Sequence, residues 1–183
     1  WRASGISMIP APADAALSEG GADVGGVHPF WLTLIGEGLL EHGYGDAAAE
    51  LVKRLLQAQI AVLKAQGSFY EFYDAETARG LGERGHISGL VPLHLLTRVI
   101  GVRVISTGKV WTGGPFHWGE PIIVTQHGLR VERSADGPAI HFPSGHRAHL
   151  PADAPWQEVI DPNPAPPPSI AAPPGRSRSS SRP

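Results

Sequence analysis

Ser68-Phe69-Tyr70-Glu71-Phe72-Tyr73-Asp74-Ala75-Glu76-Thr77-Ala78-Arg79-Gly80-Leu81-Gly82-Glu83-Arg84-Gly85 interleaves aromatic rings with carboxylates in a run that ends rich in glycine. Gly80, Gly82 and Gly85 punctuate it, so the segment reads as a turn-rich loop. This mixture suits sugar chemistry: ring faces stack on the apolar face of a pyranose, and carboxylates move protons. Loops held by rigid elements are also where catalytic groups concentrate. Alternation along an extended backbone puts Phe69, Glu71 and Tyr73 on one side, and Tyr70 and Phe72 on the other. That spacing makes Tyr73 the neighbour able to orient Glu71 by hydrogen bonding.

Working upstream, Asp46 is placed to cap a helix that runs to about Gln66. Leu51, Val52, Leu55, Leu56, Ile60 and Leu63 form its apolar stripe, with Glu50, Lys53, Arg54, Gln57 and Lys64 opposite. A shorter helix precedes it, from Val27-His28-Pro29-Phe30-Trp31 to about His42. Pro29 fits the first turn, where a missing N–H costs nothing. Gly43-Tyr44-Gly45 joins the two as a tight connection, giving an antiparallel helical hairpin that delivers the aromatic loop to a fixed place. Before it, Trp1 to Val27 is interrupted by Gly and Pro and reads as loop.

Downstream, a helix is expected from near Gly89 to Ile100-Gly101, with Pro92 in its first turn and Leu90, Leu93, Leu96, Val99 and Ile100 buried. The period then changes to two. Val102-Val104, Ile122-Val124, Leu129-Val131 and Ile140-Phe142 are strand candidates, separated by turn signals at His127-Gly128, Ala135-Asp136-Gly137 and Ser144-Gly145. They predict a small antiparallel appendage of about four strands. Beyond Pro151, only Trp156 and Val159-Ile160 have the apolar character to dock back. From Asp161 the Pro, Ala, Ser and Arg composition cannot bury enough apolar area to offset ordering, so a disordered tail is expected.

Tyr70-Glu71-Phe72-Tyr73-Asp74, followed by Glu76-Thr77 and Gly80-Leu81-Gly82, resembles a Tyr-Glu-x-Tyr-Asp-Pro-x-Thr-Gly-x-Gly-Leu-Gly segment. That segment belongs to glycoside hydrolases built as a ring of helical hairpins, family 63 and the mannosylglycerate-hydrolase-like group above all. Trehalases and glucoamylase-type enzymes are more distant in likeness. Ala75 stands where Pro is usual and Ala78 where the first Gly is usual, changes that affect turn stiffness more than chemistry. The resemblance extends to Trp1-Arg2-x-x-Gly5-Ile6-Ser7-x-Ile9-Pro10, similar to a segment lining the sugar pocket, and to His28 at a helix start facing that pocket. Where a pocket Trp is common, Ile87 and Ser88 stand instead.

The resemblance implies a mainly α fold: the C-terminal fragment of an (α/α) six-hairpin toroid, followed by the β appendage and the tail. It divides the chain into 1–100 (last hairpins and base loop), 101–160 (antiparallel appendage) and 161–183 (tail). It implies an inverting glycosidase acting on α-linked sugars, inactive as an isolated piece. Inversion needs a carboxylic acid on the leaving oxygen and a carboxylate that activates water, roughly 6.5–9.5 Å apart. The resemblance makes Glu71 that general base, with Trp1, Arg2, His28, Trp31, Phe69, Tyr70 and Tyr73 lining the substrate site. No segment resembles the surroundings of the general acid, which the family carries far upstream. Asp14 and Asp23 lie in loops with nothing that asks for the role. On residues alone, Glu71 as a carboxylate tied to an Arg stays open, as does a non-catalytic carbohydrate-binding or scaffold remnant. Asp74 and Glu76 read as backbone caps or solvent-facing acids, and Glu83-Arg84 as a surface pair.

Composition narrows the rest. The formal net charge of -2 argues against nucleic-acid binding, and the three tail arginines are too few to reverse that. No stretch is apolar enough to span a bilayer, so no membrane partner is expected. Without Cys there is no disulfide or thiolate site, which favours a cytoplasmic setting without requiring it. His127, His141, His146 and His149 sit on strands and turns without converging spacing, so no metal and no cofactor are expected.

Overall fold

The computed structural model describes residues 1–7, 26–90 and 92–164. The short strand β1 (Gly26–Val27) leads through His28 into α1 (Pro29–Glu41) and then α2 (Gly45–Gln66). Pro29 occupies the first turn of α1 as its chemistry favours. Asp46, by contrast, does not cap α2: Tyr44 holds the N-cap position without a side-chain bond, and Asp46 lies in the first turn. Its Oδ1 lies 2.9 Å from His117 Nδ1, far along the chain.

The aromatic stretch is not a loop. It folds into β2 (Tyr70–Asp74) and β3 (Gly80–Arg84), an antiparallel pair with β1 on the other flank of β2. Asp74 closes the turn between them, and Gly82 absorbs a bulge with φ +75°. There the step from Tyr70 to Phe72 is matched by the step from Arg84 to Leu81, one residue longer on β3. After a 3₁₀ turn at Ile87–Gly89, α3 (Leu93–Ile100) begins only past Pro92, which holds an extended N-cap with ψ 97°. The helix expected from Gly89 is therefore cut to its C-terminal part.

The remaining strands make two more antiparallel sheets. β4 (Val102–Ser106), β5 (Lys109–Thr112) and β10 (Gln157–Ile160) run in the order β10-β5-β4. β6 (Ile122–Gln126), β7 (Leu129–Ser134), β8 (Gly137–His141) and β9 (Arg147–His149) form a meander. The appendage thus has seven strands where about four are expected. β5, β9 and β10 are short, and β10 pairs with β5 from far along the chain.

The described residues correct the expected fold class. Three helices and three antiparallel sheets take equal shares of the chain, so it is mixed α/β and not a mainly α piece of a helical toroid. The physical reason lies in the aromatic stretch and the β half. Residues read as connection satisfy their backbone groups by cross-strand pairing, which demands sheets of their own. Of the tail expected at 161–183, residues 165 onward lie outside the described residues, as do Ile9, Pro10, Asp14 and Asp23.

Burial explains how the parts hold together. Val27, Leu32, Leu51, Leu55, Val62 and Tyr73 form one cluster around the helical hairpin and β2. Ala48, Ala49, Val52, Leu95 and Val99 form a second between α2 and α3. A third fills the β half with Val102, Val110, Leu129, Val131, Ile140 and Phe142. Leu96 and Trp118 pack against both the second and third clusters, so the helical and β portions share one continuous interior. Lys53 reinforces that seam, donating to the Trp118 carbonyl with its ammonium 5.0 Å from the ring centroid. No described helix is long and apolar enough to cross a membrane.

Candidate functional site

Two places on the molecule gather candidate functional side chains. The first is the β2–β3 hairpin. Glu71 is half-buried, and its Oε2 accepts the Glu83 N–H at 3.3 Å. Among the described residues no guanidinium or ammonium pairs with it, so the reading of Glu71 as an Arg-tied acid is not what the hairpin builds. Beside it, Phe72 stacks on His28 with ring centroids 4.6 Å apart and planes 21° from parallel. Gly82 keeps this corner open, since a Cβ there would meet Phe72 Cε1 at 2.5 Å and Glu71 Oε2 at 2.7 Å. Glu71, Phe72 and His28 therefore come together.

The tyrosines face the other way. Tyr73 is fully buried in the first cluster, and Tyr70 packs against that cluster while covering Gly80. The Tyr73 hydroxyl donates to the Gly89 carbonyl at 2.8 Å and makes no bond to Glu71. The expected orientation of Glu71 by Tyr73 thus fails: simple alternation takes no account of the core, and a ring as large as that of Tyr73 follows the apolar interior. Burial drives the Tyr73 pKa above its ordinary value, against the pull of hydrogen bonds involving the Tyr70 backbone and Gln59.

Asp74 serves as a turn clasp. Its Oδ1 accepts from the Glu76 N–H at 3.0 Å, the Thr77 N–H at 2.7 Å and the Thr77 hydroxyl at 2.8 Å. Burial works to raise its pKa, but these bonds, with the charge of Arg79, outweigh it and leave the carboxyl below the usual range. Glu83 does not form the expected pair with Arg84. Its carboxylate lies 3.9 Å from His86 instead.

The other sequence-derived residues separate. Trp1 is exposed, with Arg54 5.5 Å from its ring centroid, and Arg2 pairs with Glu76 at 3.1 Å. Glu76, Arg54 and Ser4 line a shallow hollow of about 250 Å³ at the turn end of the hairpin. Trp31 is 44% exposed and meets the edge of Phe30 at 5.5 Å. Phe69 is half-buried, and its carbonyl accepts from the Gly85 N–H at 2.7 Å. Glu71 lines neither this hollow nor the larger cavity described next.

The second place went unread in the sequence. A cavity of about 410 Å³ opens between the helices and the β10-β5-β4 sheet. His94 and Arg98 reach it from α3, Arg103 from β4, His117 from the loop after β5, and Trp156 from just before β10. Only Trp156 carried a signal, as an apolar residue able to dock back. The rest converge through tertiary structure alone. Among the described residues no group of three or more His, Asp or Glu side chains is arranged to hold a metal ion. His141 and His149 pair across β8 and β9 with Arg147 and Ala139, not with each other. No protein-family model matches this chain, and neither a curated protein nor a solved structure is similar to it.

Proposed function

We propose that this chain carries the general-base half of an inverting glycoside hydrolase acting on α-linked sugars, with Glu71 as the base. The observation that carries the reading is the state of its carboxylate. One oxygen accepts a single backbone N–H, and no cation among the described residues neutralises it. A general base needs a charged oxygen within hydrogen-bond reach of the water it deprotonates. The adjoining His28, half-buried and stacked on the buried Phe72, brings a ring N–H or lone pair suited to a sugar hydroxyl. In the reaction, Glu71 takes a proton from water as the water oxygen attacks the anomeric carbon. The bond to the leaving oxygen breaks, and that oxygen takes a proton from the general acid. No residue of this chain is assigned the role of the acid, which the resembling enzymes carry far from their base.

The test is Glu71→Gln in the natural full-length protein, assayed on α-glucosides and α-mannosides with the product anomer followed by NMR. The expected outcome is loss of turnover by roughly 10²–10⁴-fold, the usual worth of a general base, with an unchanged melting temperature. Turnover within threefold of the parent, or retention of anomeric configuration, would overturn the assignment.

A second reading is favoured by one observation: Glu71 lines neither of the two cavities described. On that reading the chain is a non-catalytic carbohydrate-binding or scaffold unit. It expects saccharide binding without turnover in the full-length protein, whatever residue stands at position 71.

A further inference from the structure

We infer that the cavity between α3 and the β10-β5-β4 sheet is a binding site for a small organic anion carrying a flat apolar face, such as a sugar bearing a carboxylate or phosphate. The inference is independent of the role given to Glu71, which lies outside this cavity.

Size and lining come first. About 410 Å³ falls within the range of small-molecule sites, which pair apolar walls with a few placed polar groups. Here Leu40 and Trp156 give the apolar surface, and Trp156 is 40% exposed, so its ring is available to a ligand. The polar side chains are Arg98, Arg103, His94, His117 and Thr97, and no acidic residue lines the cavity.

Charge then selects the ligand. Arg98 is held by Glu37, which also lies 3.6 Å from His94. His117 is held by Asp46 at 2.9 Å. Arg103 forms no ion pair among the described residues. Its guanidinium is exposed on β4 and presents the forked donor geometry that matches a carboxylate or phosphate. One uncompensated cation beside a tryptophan face calls for an anion attached to a ring.

The walls are fixed in advance. Arg133, wholly buried, donates to the carbonyls of Gly114 and Ser134, and its guanidinium lies 5.2 Å from the Phe116 ring centroid. The Gly114 N–H donates to the Ala154 carbonyl at 2.9 Å, and the Thr112 hydroxyl to the Gly101 carbonyl at 2.7 Å. The segment from Thr112 to Gly114 is thus anchored on both sides, which reduces the ordering cost of binding.

The test is isothermal titration of the chain with glucose 6-phosphate, glucuronate and glucose, alongside Arg103→Gln and Trp156→Ala. Both anionic sugars are expected to bind at least tenfold more tightly than glucose. Arg103→Gln is expected to erase that preference, a loss of about tenfold typical of a hydrogen bond to a charged group, with the melting temperature unchanged. Trp156→Ala is expected to weaken both anions. Glucose binding as tightly as its charged relatives, unaltered affinity in Arg103→Gln, or no binding by either anion would each overturn the inference.

Discussion

The Tyr73 hydroxyl and the Gly89 carbonyl meet at 2.8 Å, and Gln59 donates to the same carbonyl oxygen from α2. Three elements are tied at that oxygen: β2 through Tyr73, the 3₁₀ turn through Gly89, and α2 through Gln59. All three residues are buried, so each polar group needs a partner inside the protein. This knot fixes the base of the β2–β3 hairpin and hence the position of Glu71 two residues before Tyr73.

Tyr73→Phe removes one of the two donors while keeping the ring. Because Gln59 still serves the Gly89 oxygen, the expected cost is only about 1 kcal/mol in urea unfolding. The pH profile gives a second readout. A phenol whose pKa is raised on folding contributes stability that is intact below the unfolded value of 10.0 and is lost as pH rises through the folded one. The alkaline fall in wild-type stability should therefore be shallower in Tyr73→Phe. An identical alkaline limb in the two proteins would show that Tyr73 is not the group responsible.

Gly89 admits no side chain. A Cβ there would run into the Tyr70 carbonyl oxygen, a backbone atom that cannot swing aside as a side chain can. Gly89→Ala should therefore cost more than Tyr73→Phe, by at least 2 kcal/mol, as overpacking against backbone does. Equal melting temperatures for the two variants would mean that the 3₁₀ turn yields more easily than its packing implies.

Asp74→Ala tests the turn clasp. Three donors lose their shared acceptor, and the expected cost near neutral pH is about 2 kcal/mol. The sign of the pH dependence follows from the lowered pKa. A carboxyl depressed on folding stabilises the fold above its unfolded value of 3.8, and that contribution disappears as pH falls through the folded value. Wild type and Asp74→Ala should thus converge in stability at the acidic end. A gap that stays constant down to acid pH would remove the carboxylate charge from the explanation.

Local chemistry made the helical hairpin legible. The apolar spacing of α2 and the proline at the start of α1 place both helices within a residue or two of their observed bounds. Asp74 as a backbone cap was legible for the same reason, since its partners lie within three residues. What the sequence hid depends on distant pairing. β5 is recognisable only because β4 and β10 flank it, and Asp46 looks like a cap until His117 arrives from 71 residues away. The cavity walls escaped for that reason too: His94, Arg103 and Trp156 belong to three separate elements and share no spacing. The aromatic stretch misled differently. Its glycines signal turns, yet one of them serves a bulge inside a strand, where a turn signal and a strand signal coincide.

The crossing of α1 and α3 offers the sharpest packing test. Gly36 faces Leu95, and a Cβ at position 36 would overlap Leu95 Cδ2 and lie 3.0 Å from its Cδ1. Gly36→Ala gains about 1 kcal/mol of helix propensity but must displace a side chain only 1% exposed, so a net loss of about 1–2 kcal/mol is expected. Leu95→Ala empties the same site and should cost about 2–5 kcal/mol. Together the two changes compensate, because the new methyl group enters space that the leucine has vacated while the propensity gain remains. The double variant should therefore be more stable than the sum of the single effects by at least 1 kcal/mol, as read from a double-mutant cycle in urea. Simple additivity would mean that Leu95 has room to move aside, and that the close approach of the two helices does not depend on the missing side chain at Gly36.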